Sequence, residues 1–249
     1  MSRWTQRWGV ARSLLIYYGI PWRPWQMRRF YGQFVAPGDL CFDIGAHVGN
    51  RMMTWLWLGA DVVGVEPQPA CFAVLARLYG SHGRVHLEQA AVGDTPGQAT
   101  LHINEKNPTI TTLSASWRDT LQQTAGFANE QWTTAVDVPV ITLDDLIARY
   151  GRPKFCKIDV EGFETAVLRG LSQPLPIISF EFIPATMPLA YECLDRLDQL
   201  GTYRYNWSWG EQNRLQVPHH SWLSPKQMRR QLESMAAQEK SGDIYAQLA

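Results

Sequence analysis

The chain has 249 residues, of which 45% are hydrophobic and 18% charged, enough for one large domain whose core needs no disulfide or metal staple. Lysine plus arginine and aspartate plus glutamate number 23 each. That balance argues against a dedicated nucleic-acid binder, whose mark is a basic excess.

The balance is uneven along the chain. Residues 1–38 hold Arg3, Arg7, Arg12, Arg23, Arg28 and Arg29 and no acid, so the remainder carries 17 basic against 23 acidic residues. The same segment holds Trp4, Trp8, Trp22 and Trp25, with helical periodicity over 3–18 and punctuation at Pro21, Pro24 and Pro37. It reads as a basic, tryptophan-rich extension. Three uses are open to it: packing on the sheet as a cover for the active site, a dock on an anionic membrane surface, or a contact with a polyanionic acceptor or partner. Its apolar run over 14–20 is too short to span a bilayer, and no signal-peptide cleavage pattern follows. Cys41, Cys71, Cys156 and Cys193 are too dispersed for a disulfide framework or a zinc site and suit a reducing cytosol.

From Leu40 strands alternate with helices. The pattern predicts strands at 40–44, 61–66 and 85–91, with helices at 50–58 and 67–79 between them. Residues 98–103 read as a hairpin strand and 133–140 as another. Between them, 104–132 forms the long, weakly patterned stretch typical of a functional loop. A helix at 143–150 capped by Thr142 follows, then a strand at 154–160, a helix at 163–170, a strand at 177–182, a helix at 189–200 and a strand at 203–207. Ser224-Pro225 opens a helix running to about residue 239. The expected fold is α/β: a doubly wound, mostly parallel, Rossmann-like sheet with helices on both faces. The expected divisions are an extension over 1–38, the domain over 39–222, and a C-terminal helix and tail over 223–249.

The strongest local signal is Asp43-Ile44-Gly45-Ala46-His47-Val48-Gly49, between the first strand and a helix. In a doubly wound sheet ligands bind beyond the C-terminal strand ends, where glycines allow tight turns and close approach. The motif is not the dinucleotide fingerprint G-x-G-x-x-G. Asp43 would repel a pyrophosphate and hold an ammonium group, which favours a nucleoside with an amino-acid tail. Glu66, ending the second strand, suits the two hydroxyls of a ribose.

With D-I-G-A-H-V-G stand V-E-P at 65–67, Q-A-A-V-G-D at 89–94, L-D-D-L at 143–146 and K-I-D-V-E-G-F-E at 157–164. In this order they resemble the FkbM family of S-adenosylmethionine-dependent methyltransferases over roughly residues 36–210. The resemblance implies a class I methyltransferase fold and S-adenosyl-L-methionine as cofactor. It also implies methylation of a hydroxyl on a sugar, glycoconjugate or secondary metabolite. By position, Asp43 would hold the methionine ammonium, and Gly45, Ala46 and Gly49 would shape the loop. Glu66 with Pro67 would meet the ribose, and Gln89 with Ala90 the adenine. His47 and Gln89 stand where many members carry Asn.

Lys157, Asp159 and Glu161 recur at spacing two and so share one strand face. Ser179 and Glu181 share a face of the next strand. Asp159 or Glu181 is then the base that takes the acceptor's proton, with His47 and Lys157 as further catalytic candidates. A locked ion network is the structural alternative. A metal on Asp159 and Glu181 is a minor option, and none is expected. The other functional readings are a nicotinamide-dependent oxidoreductase and a non-catalytic interaction protein. A small-molecule or glycan acceptor is expected as partner, without nucleic acid. The expected location is the cytoplasm, with peripheral contact at the inner membrane surface open through residues 1–38.

Overall fold

The computed structural model describes residues 23–124, 127–236 and 240–249, with Arg12 and Gln238 besides. The helix expected over 3–18 falls outside them, Arg12 excepted. The central sheet contains β1 (Leu40–Ile44), β2 (Asp61–Val65), β3 (Val85–Glu88), β7 (Phe155–Ile158), β8 (Ile177–Phe182), β9 (Tyr203–Trp209) and β10 (Gly242–Leu248). Their order is β3-β2-β1-β7-β8-β10-β9. Within this sheet β10 alone runs antiparallel to its neighbours, so the expected mostly parallel, doubly wound sheet is present. The winding reverses between β1 and β7, which places the ligand crevice at their C-terminal ends. A second sheet, β4 (Ala91–Val92), β5 (Gly97–Ile103) and β6 (Thr134–Ile141), is ordered β4-β6-β5.

Strand alternation divides the core between the two faces of the central sheet. Phe42, Ile44, Cys156, Ile158, Ile178, Phe180 and Ile244 pack together with the apolar stripes of four helices. These are α5 (Leu143–Tyr150), α6 (Glu164–Arg169), α7 (Met187–Leu200) and α8 (Pro225–Ala236). Cys41, Phe155, Ile177 and Tyr245 point to the other face. There they meet α1 (Arg23–Tyr31), α2 (Asn50–Leu58) and α3 (Pro69–Tyr79). The alternate positions on that second face are Asp43, Lys157, Ser179, Glu181 and Asp243. A polar row therefore lies on that face, two residues along each strand from its apolar members.

The tryptophan-rich start is partly built into this core. Met27, Phe30 and Tyr31 of α1 are buried. Phe34 stacks on Tyr245 with ring centroids 5.7 Å apart. Burying each such side chain contributes roughly 1.5–3 kcal/mol. Met27, Phe30, Tyr31, Phe34 and Val35 of the segment thus pack against the central sheet.

Three expectations are corrected. The C-terminal tail is a strand: β10 sits between β8 and β9, with Asp243 opposite Glu181 and Tyr245 opposite Ser179. Ile244 and Ala246 bury on one face and Tyr245 on the other, which is the period-two pattern of a covered strand. The strand expected over 154–160 stops at Ile158, because Glu161 and Gly162 adopt left-handed conformations with φ of 53° and 86°. The strand expected over 85–91 divides into β3 and β4, which belong to different sheets. The weakly patterned 104–132 stretch contains α4 (Ala115–Gln122), capped by Ser114, after a 3-10 turn at Pro108–Ile110.

Candidate active site

Two cavities meet at the C-terminal ends of β1, β2 and β7. The first is a narrow cleft of about 80 Å³. Gly45, His47, Asn50, Glu66, Pro67 and Gln68 line one side, Ala90–Val92 another, and Pro108–Leu113 lie across it. The second is a chamber of about 980 Å³ whose walls include Asn107, Ile110, Thr124, Phe127, Glu181 and Asp243. Arg51, Thr109, Asp159 and Glu161 border both. The 104–132 stretch thus walls both cavities, as its loop character suggests. Thr112 Oγ1 donates to the Glu161 carbonyl at 2.6 Å and Trp132 Nε1 to the Ile110 carbonyl at 2.7 Å. A whole nucleoside needs several hundred Å³, so entry to the cleft requires this strap to move.

The loop after β1 is shaped by two glycines. Gly45 has φ 82°, and a Cβ there would lie 1.8 Å from the Asp159 carbonyl oxygen. Gly49 has φ 80° and caps the start of α2; a Cβ there would meet the Tyr79 ring at 2.6 Å. Both positions therefore require glycine on two counts. Ala46 is buried behind the loop, and neither it nor Gly49 lines the cleft.

Glu66 is placed as expected at the mouth. Its carboxylate accepts from the backbone N–H groups of His47 and Gln68, each at 2.8 Å. Each oxygen still has a lone pair for a further donor. Burial pushes its pKa up to about 7 against the lowering effect of those two bonds. A carboxylate fixed in this way at the end of β2, beside a loop with no room for Cβ atoms, fits a nucleoside ribose.

Asp43 lies deeper than Glu66. It shares the covered face with Cys41, opposite Lys157 in register, so its carboxylate points under the loop and does not line the cleft. It is 1% exposed, and among the described residues neither oxygen meets a hydrogen-bond partner. Burial raises its pKa to about 6. Gln89 is likewise exposed and outside the cleft wall, whereas Ala90 belongs to it.

The catalytic candidates separate into two groups. Lys157 is fully buried and lines neither cavity. Its Nζ lies 2.7 Å from Asp243 Oδ1 and 3.4 Å from Asp159 Oδ2. Burial alone would lower its pKa, but those two carboxylates raise it above the ordinary lysine value. Lys157 is thus a fixed positive post, not a group that touches substrate. Asp159 also takes Arg51 at 3.1 Å. Burial raises its pKa, yet Lys157 and Arg51 outweigh that and hold it below the usual carboxylate range. Asp159 is ionised and a weak base.

Glu161 and Glu181 differ. Neither takes part in an ion pair among the described residues, and both are half-buried. Burial, followed by neighbouring carboxylates, raises both pKa values well above the glutamate norm. Oxygens of Asp159, Glu161 and Glu181 lie within 4.8 Å of one another. Such a triad can share a proton or contribute three ligands to a hard cation. Burial lowers the His47 pKa to about 4, so its ring is neutral, and it faces the cleft and not the chamber.

Sequence reasoning missed Arg51, Asp243 and the part played by Glu161. Arg51 is the second residue of an ordinary helix. Asp243 carries a signal in the alternation of Ile244, Ala246 and Leu248, which marks a strand.

Residues 43–203 match the profile of the Methyltransferase FkbM domain, more than half of the chain. The chain belongs to the FkbM methyltransferase family. A curated relative, 31-O-demethyl-FK506 methyltransferase FkbM of Streptomyces tacrolimicus, is 32% identical over 168 residues. That alignment covers 57% of this chain and 62% of the relative, so the chain spans about three-fifths of its length. Two solved structures are looser likenesses. A TehB-like SAM-dependent methyltransferase from Corynebacterium glutamicum shares 11% identity at TM-score 0.49, covering 99% of this chain and 96% of that one. A precorrin-6y C5,15-methyltransferase from Geobacter metallireducens shares 14% at TM-score 0.44, covering 90% and 87%. The FkbM match begins at Asp43 and ends at Tyr203. It contains the loop, Glu66 and the carboxylate triad. α1, α8 and β10 with Asp243 lie outside it.

Proposed function

We propose that the chain is an S-adenosylmethionine-dependent O-methyltransferase acting on a hydroxyl of a sugar, glycoconjugate or secondary metabolite. The observation that carries this reading is the junction of the narrow cleft at Glu66, which the 108–113 strap closes over, with a large chamber, across a border that includes Asp159 and Glu161. Membership of the FkbM family supports the methyl-transfer part. When bound, the cofactor supplies an electrophilic sulfonium methyl. The chain must then align an acceptor oxygen behind that methyl and take its proton, so positioning carries much of the work.

Glu181 is the better base of the two expected candidates. It faces the chamber, and burial raises its pKa, whereas Lys157 and Arg51 hold that of Asp159 down, so its carboxylate is the stronger base of the two. Asp159, fixed by Lys157 and Arg51, orients the junction and keeps a negative charge there. With the cofactor bound, the acceptor oxygen would bond to the methyl carbon as the carbon–sulfur bond breaks, the sulfur leaving as a neutral thioether, while the acceptor's proton would pass to Glu181.

The experiment is transfer of a labelled methyl group from S-adenosylmethionine over a panel of glycosides, polyols and phenols. Label recovered as a methyl ether supports the proposal, and label found only on nitrogen or carbon overturns its oxygen specificity. The triad's spacing favours one second reading, a divalent cation that holds the acceptor. Chelation separates the two. Turnover that survives EDTA leaves the triad to proton transfer, and turnover lost to EDTA and restored by magnesium assigns it to a cation.

A further inference from the structure

Helix α1 has two faces of different character. Met27, Phe30 and Tyr31 point into the core, while Trp25, Arg28 and Arg29 point outward and are exposed. Trp25 is 72% exposed and Trp57, near the end of α2, is 50% exposed. They come together, and with Pro24 and Arg28 they line one shallow depression. The guanidinium of the exposed Arg84 reaches the same end of α2 and donates to the Leu56 carbonyl at 3.2 Å. No acid occurs between residues 1 and 38.

Scattered exposed apolar residues are ordinary, but two adjoining indoles among arginines form a patch. Indole rings favour the headgroup region of a bilayer, with the apolar body inward and the N–H toward water, and arginine pairs with lipid phosphate. We propose that the outer face of α1 and the C-terminal end of α2 form a docking surface for an anionic lipid membrane. This does not depend on the reaction assigned above.

Charge decides between occupants. A second copy of the chain in a two-fold dimer would bring the same arginines against each other. The depression is also small beside the roughly 800 Å² per partner of a stable interface. A nucleic-acid duplex offers phosphates but encloses its bases, so it gives two neighbouring indoles no apolar layer; a single strand, whose bases stack on aromatic rings, would bind without any vesicle. Trp57 lies seven residues into α2 from Asn50, or about 10 Å along the helix from the cofactor loop. Docking at this end leaves the mouth of the cleft clear of the bilayer.

The test is co-sedimentation of the full chain with vesicles of phosphatidylcholine alone or mixed with phosphatidylglycerol. Binding is expected to the mixed vesicles and not to the neutral ones, and to weaken as salt rises, because surface attraction decays over about 10 Å at 0.1 M salt. Replacing Arg28 and Arg29 together by Gln should weaken partition roughly 30-fold, at ~1 kcal/mol per arginine near the surface. Trp25→Ala with Trp57→Ala should remove the binding that persists at high salt. Thermal melting of each variant checks that the fold is kept, since none of these side chains belongs to the core. The proposal is overturned if the chain ignores anionic lipid or if these variants bind as the parent does. It is also overturned if the patch instead supports a concentration-dependent dimer that they abolish.

Discussion

Asp243→Ala tests the buried lysine most sharply. Lys157 has no solvent exposure, and its 2.7 Å contact with Asp243 is the shorter of its two ion pairs. Removing one partner of a buried pair costs about 3–5 kcal/mol, because the remaining charge has lost its compensation. Here Asp159 at 3.4 Å and the Ile158 carbonyl at 3.4 Å stay in place, which argues for the lower end, about 3 kcal/mol. In a domain of this size each kcal/mol moves Tm by roughly 2–4 °C, so the variant should melt roughly 6–12 °C lower. Asp243→Asn keeps an acceptor but not the charge and should lose about half as much. Gln247→Ala, on the same strand and partly exposed, is the control and should stay within about 0.5 kcal/mol. Differential scanning calorimetry measures all three. An Asp243→Ala protein melting within about 1 °C of the parent would refute the claim that the C-terminal strand holds Lys157.

Other expectations follow from the same geometry. Glu181→Gln should bind cofactor normally and lose roughly 100-fold or more in turnover; in the parent, turnover should climb with pH as the raised Glu181 deprotonates. A variant with full turnover would remove Glu181 from the base role. Burial raises the pKa of Asp43 to about 6 and of Glu66 and Glu164 to about 7. The folded state therefore keeps protons that the unfolded chain releases near pH 4. Their contribution to stability is greatest below that range and falls as pH rises through about 7, by up to ~1.4 kcal/mol per pH unit for each such group. Denaturant titrations across pH should show this slope, flattened in Glu164→Gln, and a stability that rises over this window would contradict it. Gly45→Ala should lose cofactor binding or fold, because its Cβ would overlap the Asp159 carbonyl; normal binding by a folded variant would refute the close approach.

The sheet was legible because β1, β2, β7 and β8 are short apolar runs ending in acids or glycine turns, a pattern set by burial on both faces. Glu66 was legible for the same reason, since the end of a parallel strand must face the crevice. The burial of Asp43 was not legible, because a motif marks a strand end but not the face a side chain takes. Alternation with Cys41 sends it beneath the loop. The row expected along Lys157, Asp159 and Glu161 failed where β7 stops, although the left-handed turn at Glu161 returns its carboxylate to Asp159 and Glu181. The Lys157–Asp243 pair joins residues 86 positions apart. It depends on an antiparallel insertion that no local pattern encodes.

The central claim is that the Glu66 mouth binds S-adenosylmethionine. A thermal-shift titration of the purified chain with S-adenosylmethionine, S-adenosylhomocysteine and NAD tests it most directly, since a ligand of the folded state alone raises Tm. The account predicts stabilisation by the first two and not by NAD, with the effect lost in Glu66→Ala. Stabilisation by NAD alone, or an undiminished shift in Glu66→Ala, would contradict it.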